Sequence, residues 1–427
     1  PSGPVIKITA PDAYINDAED ESSLTISGTS ENAAKLAATI TVGDITKETT
    51  VNFNGTWSVT LEPDELKSLD EGSVSITATV EDNNGKSSKA SSSFVYDIQK
   101  PTVVITNDVT EGAKANIESG DITYTFTFSE AVSDFDKGDV DVVNGAPGTF
   151  TGSSGDKVYT LVVKPDSGLT GNVTVDVDPN IATDAAGNSN LVATQSVQAV
   201  DIVAPTVAIS DDETLVTGNI AGGSITYTFT FSEEVEGFTI DDVVVAAGSA
   251  ADNVSLGELT QSSSDPKVYT LVVTPKSGFA GDITVNVAKD VAVDAGNNGN
   301  TVASESTQAV DMGAPTAPDN APAAASGALS IPGKVSPTEF AKTIDIDVSV
   351  AGSGANVGDK VELLIDGESF ATTTGTIKTL TASDIANGVT LTIVERELIG
   401  DGDRKLTARV TDAAGNPGPE SSALTLS

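Results

Sequence analysis

Cysteine and histidine are missing from all 427 residues. Their absence excludes disulfides, thiolate zinc sites, imidazole metal sites, Ser-His-Asp triads and Cys-His dyads. It does not fix a compartment, because a secreted chain can be held by metal or by domain packing instead. Aromatic residues make up only 4%, with a single tryptophan. Any core must therefore be lean and built from Val, Ile, Leu and Ala. Basic residues are outnumbered 22 to 62 by acidic ones, giving a net charge of −40. A surface of that sign repels nucleic-acid phosphates and anionic membranes. No apolar run reaches the roughly eighteen residues of a membrane span, so no spanning helix is expected. Pro1-Ser2-Gly3 is not a signal peptide, and there is no initiator methionine. The expectation is an internal piece of something larger.

What the chain does have is repetition and carboxylate. Tyr124–Glu130 reads YTFTFSE, and Tyr227–Glu233 reads the same 103 residues later. KVYTLVV begins at Lys157 and again at Lys267, and SVQAVD and STQAVD end at Asp201 and Asp311, both 110 apart. The third unit therefore carries extra residues around Ala246 to Asp265, as a loop insertion would. The outer units echo each other more faintly, through DEGSVSITATVEDNNG from Asp70 and DGDRKLTARVTDAAGN from Asp401. Pro-Thr follows Asp97, Asp201 and Asp311 at Pro101, Pro205 and Pro315. These marks divide the chain into four domains: 1–97, 98–201, 202–311 and 312–427.

Within each unit the hydrophobic period is two. In Thr123–Phe128 the aromatics face one way and the threonines the other, which is a strand with one dry face. Val173-Val175-Val177, Ile283-Val285-Val287 and Val74-Ile76-Ala78-Val80 alternate likewise, with Gly, Asn, Asp and Ser between the runs. Two short segments read as helix, Pro63 to Leu69 and Ala382 to Ala386. The fold class is all-β: four tandem immunoglobulin-like antiparallel β-sandwich domains in an extended rod.

The motifs FSEAV at Phe128–Val132, FSEEV at Phe231–Val235 and DAAGN at Asp184–Asn188 resemble bacterial immunoglobulin-like repeats of giant biofilm-associated and RTX-type surface adhesins. GTWSVTL at Gly55 and TDAAGN at Thr411 resemble sister repeats of the same proteins. Asp294-Ala295-Gly296-Asn297 departs by lacking one alanine. The resemblance covers nearly the whole chain and is faintest over the Ala/Pro/Ser-rich Ala317 to Lys342. It implies a secreted, cell-surface stalk that carries a distal adhesive domain, with calcium stiffening the junctions. The implied partners are neighbouring repeats of the same adhesin, with host or surface glycan or protein reached through other domains. No nucleic-acid or membrane partner is expected, and the chain reads as a monomer.

Strand direction places the acids. Strands of a sandwich mostly run up and down, so the loops after the second strand and before the seventh lie at the end where the chain comes in. Glu130 and Asp184 are then expected beside Asp97, and Glu233 and Asp294 beside Asp201. Two like charges about 4 Å apart repel by roughly 4 kcal/mol at an effective dielectric near 20. Calcium, with six to eight oxygen ligands, would offset this. The plainer reading is that each Asp accepts N–H groups of its own turn. At the third junction Asp311 and Asp412 are present, but Ala351-Gly352-Ser353-Gly354 supplies no counterpart of Glu130. A weaker metal site or a hinge is expected there. Asp82 of the first domain would hold half of a site.

Asp134-x-Asp136-x-x-Asp139 hints at a calcium loop, but Gly138 falls where an EF-hand does not want it. Threonine on the wet face of one short strand is ordinary rather than an ice-binding array. Trp57 reads as core more readily than as a sugar platform. Paired acids for glycoside hydrolysis carry no signal where acids abound. Two functional classes remain: a non-enzymatic structural extender, or a glycan- or protein-binding module in the first or fourth domain.

Overall fold

Short runs of alternating β-branched and polar residues can bury only one face each, so they must pair and stack. The computed structural model describes residues 2–248, 252–325, 342–370, 375–398 and 403–426. Four separate hydrophobic cores result. By contact the chain divides into two units, Pro1–Val203 and Ala204–Ser427, each holding two of these sandwich modules.

In the first unit, the first module packs the sheet Val5–Ile8, Leu24–Glu31, Thr56–Leu61 over a five-stranded one. The latter runs Tyr14–Ile15, Ser87–Tyr96, Gly72–Glu81, Ala37–Val42, Ile45–Thr50. Trp57 is buried in the core between them. The second module packs Gly145–Thr151, Asp156–Pro165, Ile122–Val132, Val103–Asn107 over Val140–Val143, Thr170–Val177, Ser196–Asp201. Ile122, Tyr124, Phe126 and Phe128 point inward and Val173, Val175 and Val177 meet them, as period two requires. Its few aromatics are concentrated: Phe135 sits edge-on to Phe126, Phe128 and Tyr159 at 5.0–5.5 Å between ring centres. Edge-to-face pairs at such spacing add about 0.5–1.5 kcal/mol beyond burial.

In the second unit, the third module repeats this plan. Phe238 stands edge-on to Phe229, Phe231 and Tyr269. Gly145 lies opposite Pro165, and Val254 lies opposite Pro275. Asn144 alone separates the two strands Val140–Val143 and Gly145–Thr151, whereas residues 248–253 lie between Val243–Ala247 and Val254–Gln261. Most of the insertion expected around Ala246 to Asp265 therefore falls in one loop, partly outside the described residues. The fourth module pairs Thr343–Val348 with Val389–Val394, and Lys360–Ile365 with Arg404–Thr411.

Among the described residues helix is confined to Pro63–Leu66, Ala382–Asn387 and three 3-10 turns. Among the described residues no helix is long and apolar enough to cross a membrane. The acids of the EF-hand-like run have a local use. Asp136 accepts from Gly138 N and Asp139 accepts from Asp136 N, closing a capping box around Lys137–Asp139. Thr239 and Asp242 do the same in the third module.

Candidate metal centre

Three carboxylates converge at the first junction, and each is placed by a different local device. Asp97 follows Tyr96 at the end of the first module, and its N–H donates to Ile15 O, tying the linker to that module. Glu130 lies inside the strand Ile122–Val132, not just beyond it. It falls where the pairing with Asp156–Pro165 slips between Thr127 and Val132. The alternation itself continues, with Phe128 and Val132 buried and Glu130 half-buried on the same side between them. Asp184 is not immediately before the last strand, Ser196–Asp201, but well ahead of it. Thr183 exchanges backbone hydrogen bonds with Ser133, which sets the loop beside the end of Glu130's strand.

The loop Asp184–Asn188 then closes on its own carboxylate. Asp184 Oδ1 accepts Asn188 N at 2.9 Å, and Oδ2 accepts Asn188 Nδ2 at 2.9 Å. Gly187 takes the left-handed conformation the turn demands, φ +92. Asn188 Nδ2 also donates to Asp97 O at 2.8 Å, drawing the linker against the loop. The plain turn reading of Asp184 is therefore correct as far as it goes. Its carboxylate still comes, with Asp97 and Glu130, to a place where one oxygen from each lies within 4.8 Å of the others.

That spacing suits one ion. Two oxygens bound to calcium at 2.3–2.6 Å can be at most about 5 Å apart. The donors are all oxygen, which selects a hard cation over zinc or copper. Without a cation the group is strained. Burial pushes the Glu130 carboxyl up, and the charges of Asp184 and Asp97 push it further, against Lys157. Burial likewise raises Asp97, opposed by the N–H of Gln99 and reinforced by Asp184 and Glu71.

A pH dependence follows. In metal-free protein the folded junction holds protons on Glu130 and Asp97 to higher pH than the unfolded chain does. Stability is therefore lost as pH rises from the ordinary carboxylate range through the raised values. A cation held by the ionised forms would flatten this slope. Denaturant midpoints between about pH 4 and 8, with and without calcium, check it, and Glu130→Gln should remove most of the difference.

The other expected residues divide. In the third module, Glu233 and Asp294 also bring carboxylate oxygens within 4.8 Å of each other. Asp294 accepts Gly296 N, Asn298 N and Asn298 Nδ2. The altered order Asp-Ala-Gly-Asn-Asn leaves the loop intact, because Asn297 adopts the left-handed conformation, φ +63, that Gly187 takes earlier. Asn bears that conformation better than most residues. Asp201 is buried within its own module, its carboxylate paired with Lys114 at 3.3 Å and accepting Thr170 Oγ1.

Asp412 repeats the clasp of Asp184: Asn416 N and Nδ2 donate to its two oxygens, and Nδ2 reaches Asp311 O. Asp311 Oδ1 accepts Gly313 N. Among the described residues no third acid joins these two within that distance. Asp82 accepts Asn84 N and Lys86 N, and the Lys86 N–H chiefly holds its carboxyl below the usual range.

Asparagine is what residue-by-residue reading of the acids missed. Asn188, Asn298 and Asn416 are all buried. Their recurrence four residues after an Asp was the available signal.

A family model for the bacterial Ig-like domain matches residues 97–200 and 201–310, together half of the chain. No curated protein matches. Similar solved structures include one bearing on host cell surface retention of a 1.5-MDa bacterial ice-binding adhesin. It is 21% identical, covers 73% of this chain and 99% of its own, and has a TM-score of 0.37. A Ca2+-stabilized adhesin that helps an Antarctic bacterium reach out and bind ice is 20% identical over 100% and 99%, with a TM-score of 0.36. A tetra-tandem repeat in the extending region of a large adhesion protein is 19% identical over 100% of both chains, with a TM-score of 0.35.

Proposed function

The chain belongs to the bacterial Ig-like domain family, and on that footing we propose that it is a non-enzymatic extender of a bacterial cell-surface adhesin whose first junction is stiffened by calcium. The observation that carries this reading is the group Asp97, Glu130 and Asp184, drawn from a linker, a strand and a loop to within 4.8 Å across one junction. Asp97 is fixed to one module and the other two to the next. A cation bound by all three penalises any motion that separates the modules. Backbone carbonyls and water would complete its shell. Extracellular modules commonly bind calcium at about 10⁻⁴–10⁻³ M, so such a junction is occupied outside the cell and empty inside it. Glu233 and Asp294 offer a similar pair, whereas Asp311 and Asp412 would bind weakly, since among the described residues no third acid stands with them. Neighbouring repeats are the direct partners, and adhesion belongs to a domain further along the protein.

The test uses the lack of cysteine. Thr50→Cys and Val158→Cys place spin labels on exposed sites of the first and second modules. Millimolar calcium is expected to narrow the inter-label distance distribution, and chelator to broaden it about twofold. A distribution identical in both conditions, with no binding heat on titration, would remove calcium from the account.

A further inference from the structure

Two of the junctions share a set of hydrogen bonds that involves no metal. At the first, Asn16 Nδ2 donates to Ala186 O at 3.0 Å, Asp17 N donates to Asn188 Oδ1 at 2.8 Å, and Asn188 Nδ2 donates to Asp97 O at 2.8 Å. At the third, Asn219 Nδ2 donates to Ala414 O at 2.8 Å, Ile220 N donates to Asn416 Oδ1 at 2.6 Å, and Asn416 Nδ2 donates to Asp311 O at 2.7 Å. The bonds match atom for atom, although among the described residues the third junction has no third acid. We infer that these asparagine pairs form a metal-independent lock between successive modules, one asparagine on the trailing pole of a module and one in the Asp-x-x-x-Asn loop of the next.

The chemistry explains why both must be asparagine. Asn16 Oδ1 is occupied by its own turn, accepting Ala18 N and Glu19 N, so its amide N–H groups are turned outward. Asn219 does the same with Ala221 N and Gly222 N. The opposing Asn188 and Asn416 are buried and use both functions of the amide. The oxygen accepts from the preceding module, while the nitrogen donates to the linker carbonyl and to the loop's own Asp. Aspartate could not donate, and lysine could not accept. Gly187 and Gly415 permit the approach, since a Cβ at either would press on Asn16 Nδ2 or Asn219 Nδ2.

The lock also carries a specificity rule. It fits a partner that is another module of this design, presented pole to pole. Lys86 stands in the first module where the later modules have Asn188, Asn298 and Asn416. The first module therefore offers the trailing half, Asn16, but not the leading half. It can be followed through this lock and cannot follow another module through it.

The experiment uses the full chain with labels at Val244→Cys and Val357→Cys, exposed sites on the third and fourth modules. In chelator the parent distribution at the third junction is expected to be narrow and unchanged by calcium. Asn416→Ala removes two of the three bonds and should raise the undocked population on the order of tenfold. Asn219→Asp keeps the acceptor its own turn needs, replaces the donor with a charged oxygen that repels the Ala414 carbonyl, and lies outside the fourth module, so broadening in this variant cannot reflect unfolding of that module. Protection of the Leu406, Ala408 and Val410 amides against hydrogen exchange verifies that the fourth module stays folded. Unchanged widths in both variants would overturn the lock. At the first junction Asn188→Ala separates the two ideas. Broadening in chelator there supports the lock whatever calcium does, and a width that responds to calcium but not to Asn188→Ala refutes it while leaving the metal in place.

Discussion

Glu130→Gln is expected to stabilise the second module in chelator and to destabilise it in calcium, relative to the parent. The sign reversal comes from one carboxylate serving two states. Without a cation, Glu130 faces Asp97 and Asp184 across no more than 4.8 Å. Each such contact costs up to roughly 3–4 kcal/mol at an effective dielectric near 20, and less where solvent screens it. Removing the charge relieves this, by about 1 kcal/mol after that discount. With calcium at a hundred times its dissociation constant, the parent gains about 2.7 kcal/mol by mass action, which a neutral amide largely forfeits. Asp184→Ala behaves differently, because Asp184 also holds Asn188. Its loss leaves two buried donors without their acceptor and should cost about 2–3 kcal/mol even in chelator, with the calcium gain lost as well. Hydrogen exchange of the Phe126 and Val175 amides isolates this module from the rest. If Glu130→Gln shifted stability the same way in both conditions, the cluster would not be a metal centre.

Much of this was legible. Thr123–Phe128 could hardly be anything but a half-buried strand, and strand direction alone carried Glu130, Asp184 and Asp97 to the same pole. The two helical segments at Pro63 and Ala382 followed from their composition, and Trp57 lies in a core as a lone tryptophan should. What escaped was set by non-local pairing. The slip in pairing beside Glu130 depends on which residue of Asp156–Pro165 lies opposite, and hydrophobic alternation does not encode that register. The position of Asp184 well before its strand rests on the bridge to Ser133. Asn188 was hidden for another reason: asparagine beside glycine is such an ordinary turn residue that its second use, across a junction, shows only in its recurrence four residues after an Asp. The acids alone point to a weak metal site or a hinge at the third junction. The asparagine bonds found there argue that a junction can lose an acid and keep its register.

Gly28→Ala should be among the most damaging single methyl groups that can be added to the chain. Gly28 lies in the central strand Leu24–Glu31, opposite Ile8 on one side and Trp57 on the other. A Cβ there would collide with the carbonyl of Lys7 and with the six-membered ring of Trp57. Neither can yield cheaply, for Lys7 is held in the ladder to Thr29 and Trp57 is buried. Overpacking of this kind costs about 1–3 kcal/mol when a side chain can move and more when backbone must, so at least about 3 kcal/mol is expected. Trp57→Phe alone should cost about 1–2 kcal/mol as a cavity, yet it removes the ring that Cβ meets. The double variant should therefore be less damaged than the sum of its parts, which denaturant unfolding followed by hydrogen exchange at Ile26 and Val59 can measure. The other modules have cores of their own and should keep their stability. The first junction should not be spared. Asp97 is tied to the first module through Ile15 O, and Asn16 sits next along the chain. Unfolding that module frees both, so calcium affinity at the junction should fall although none of its three carboxylates has been touched.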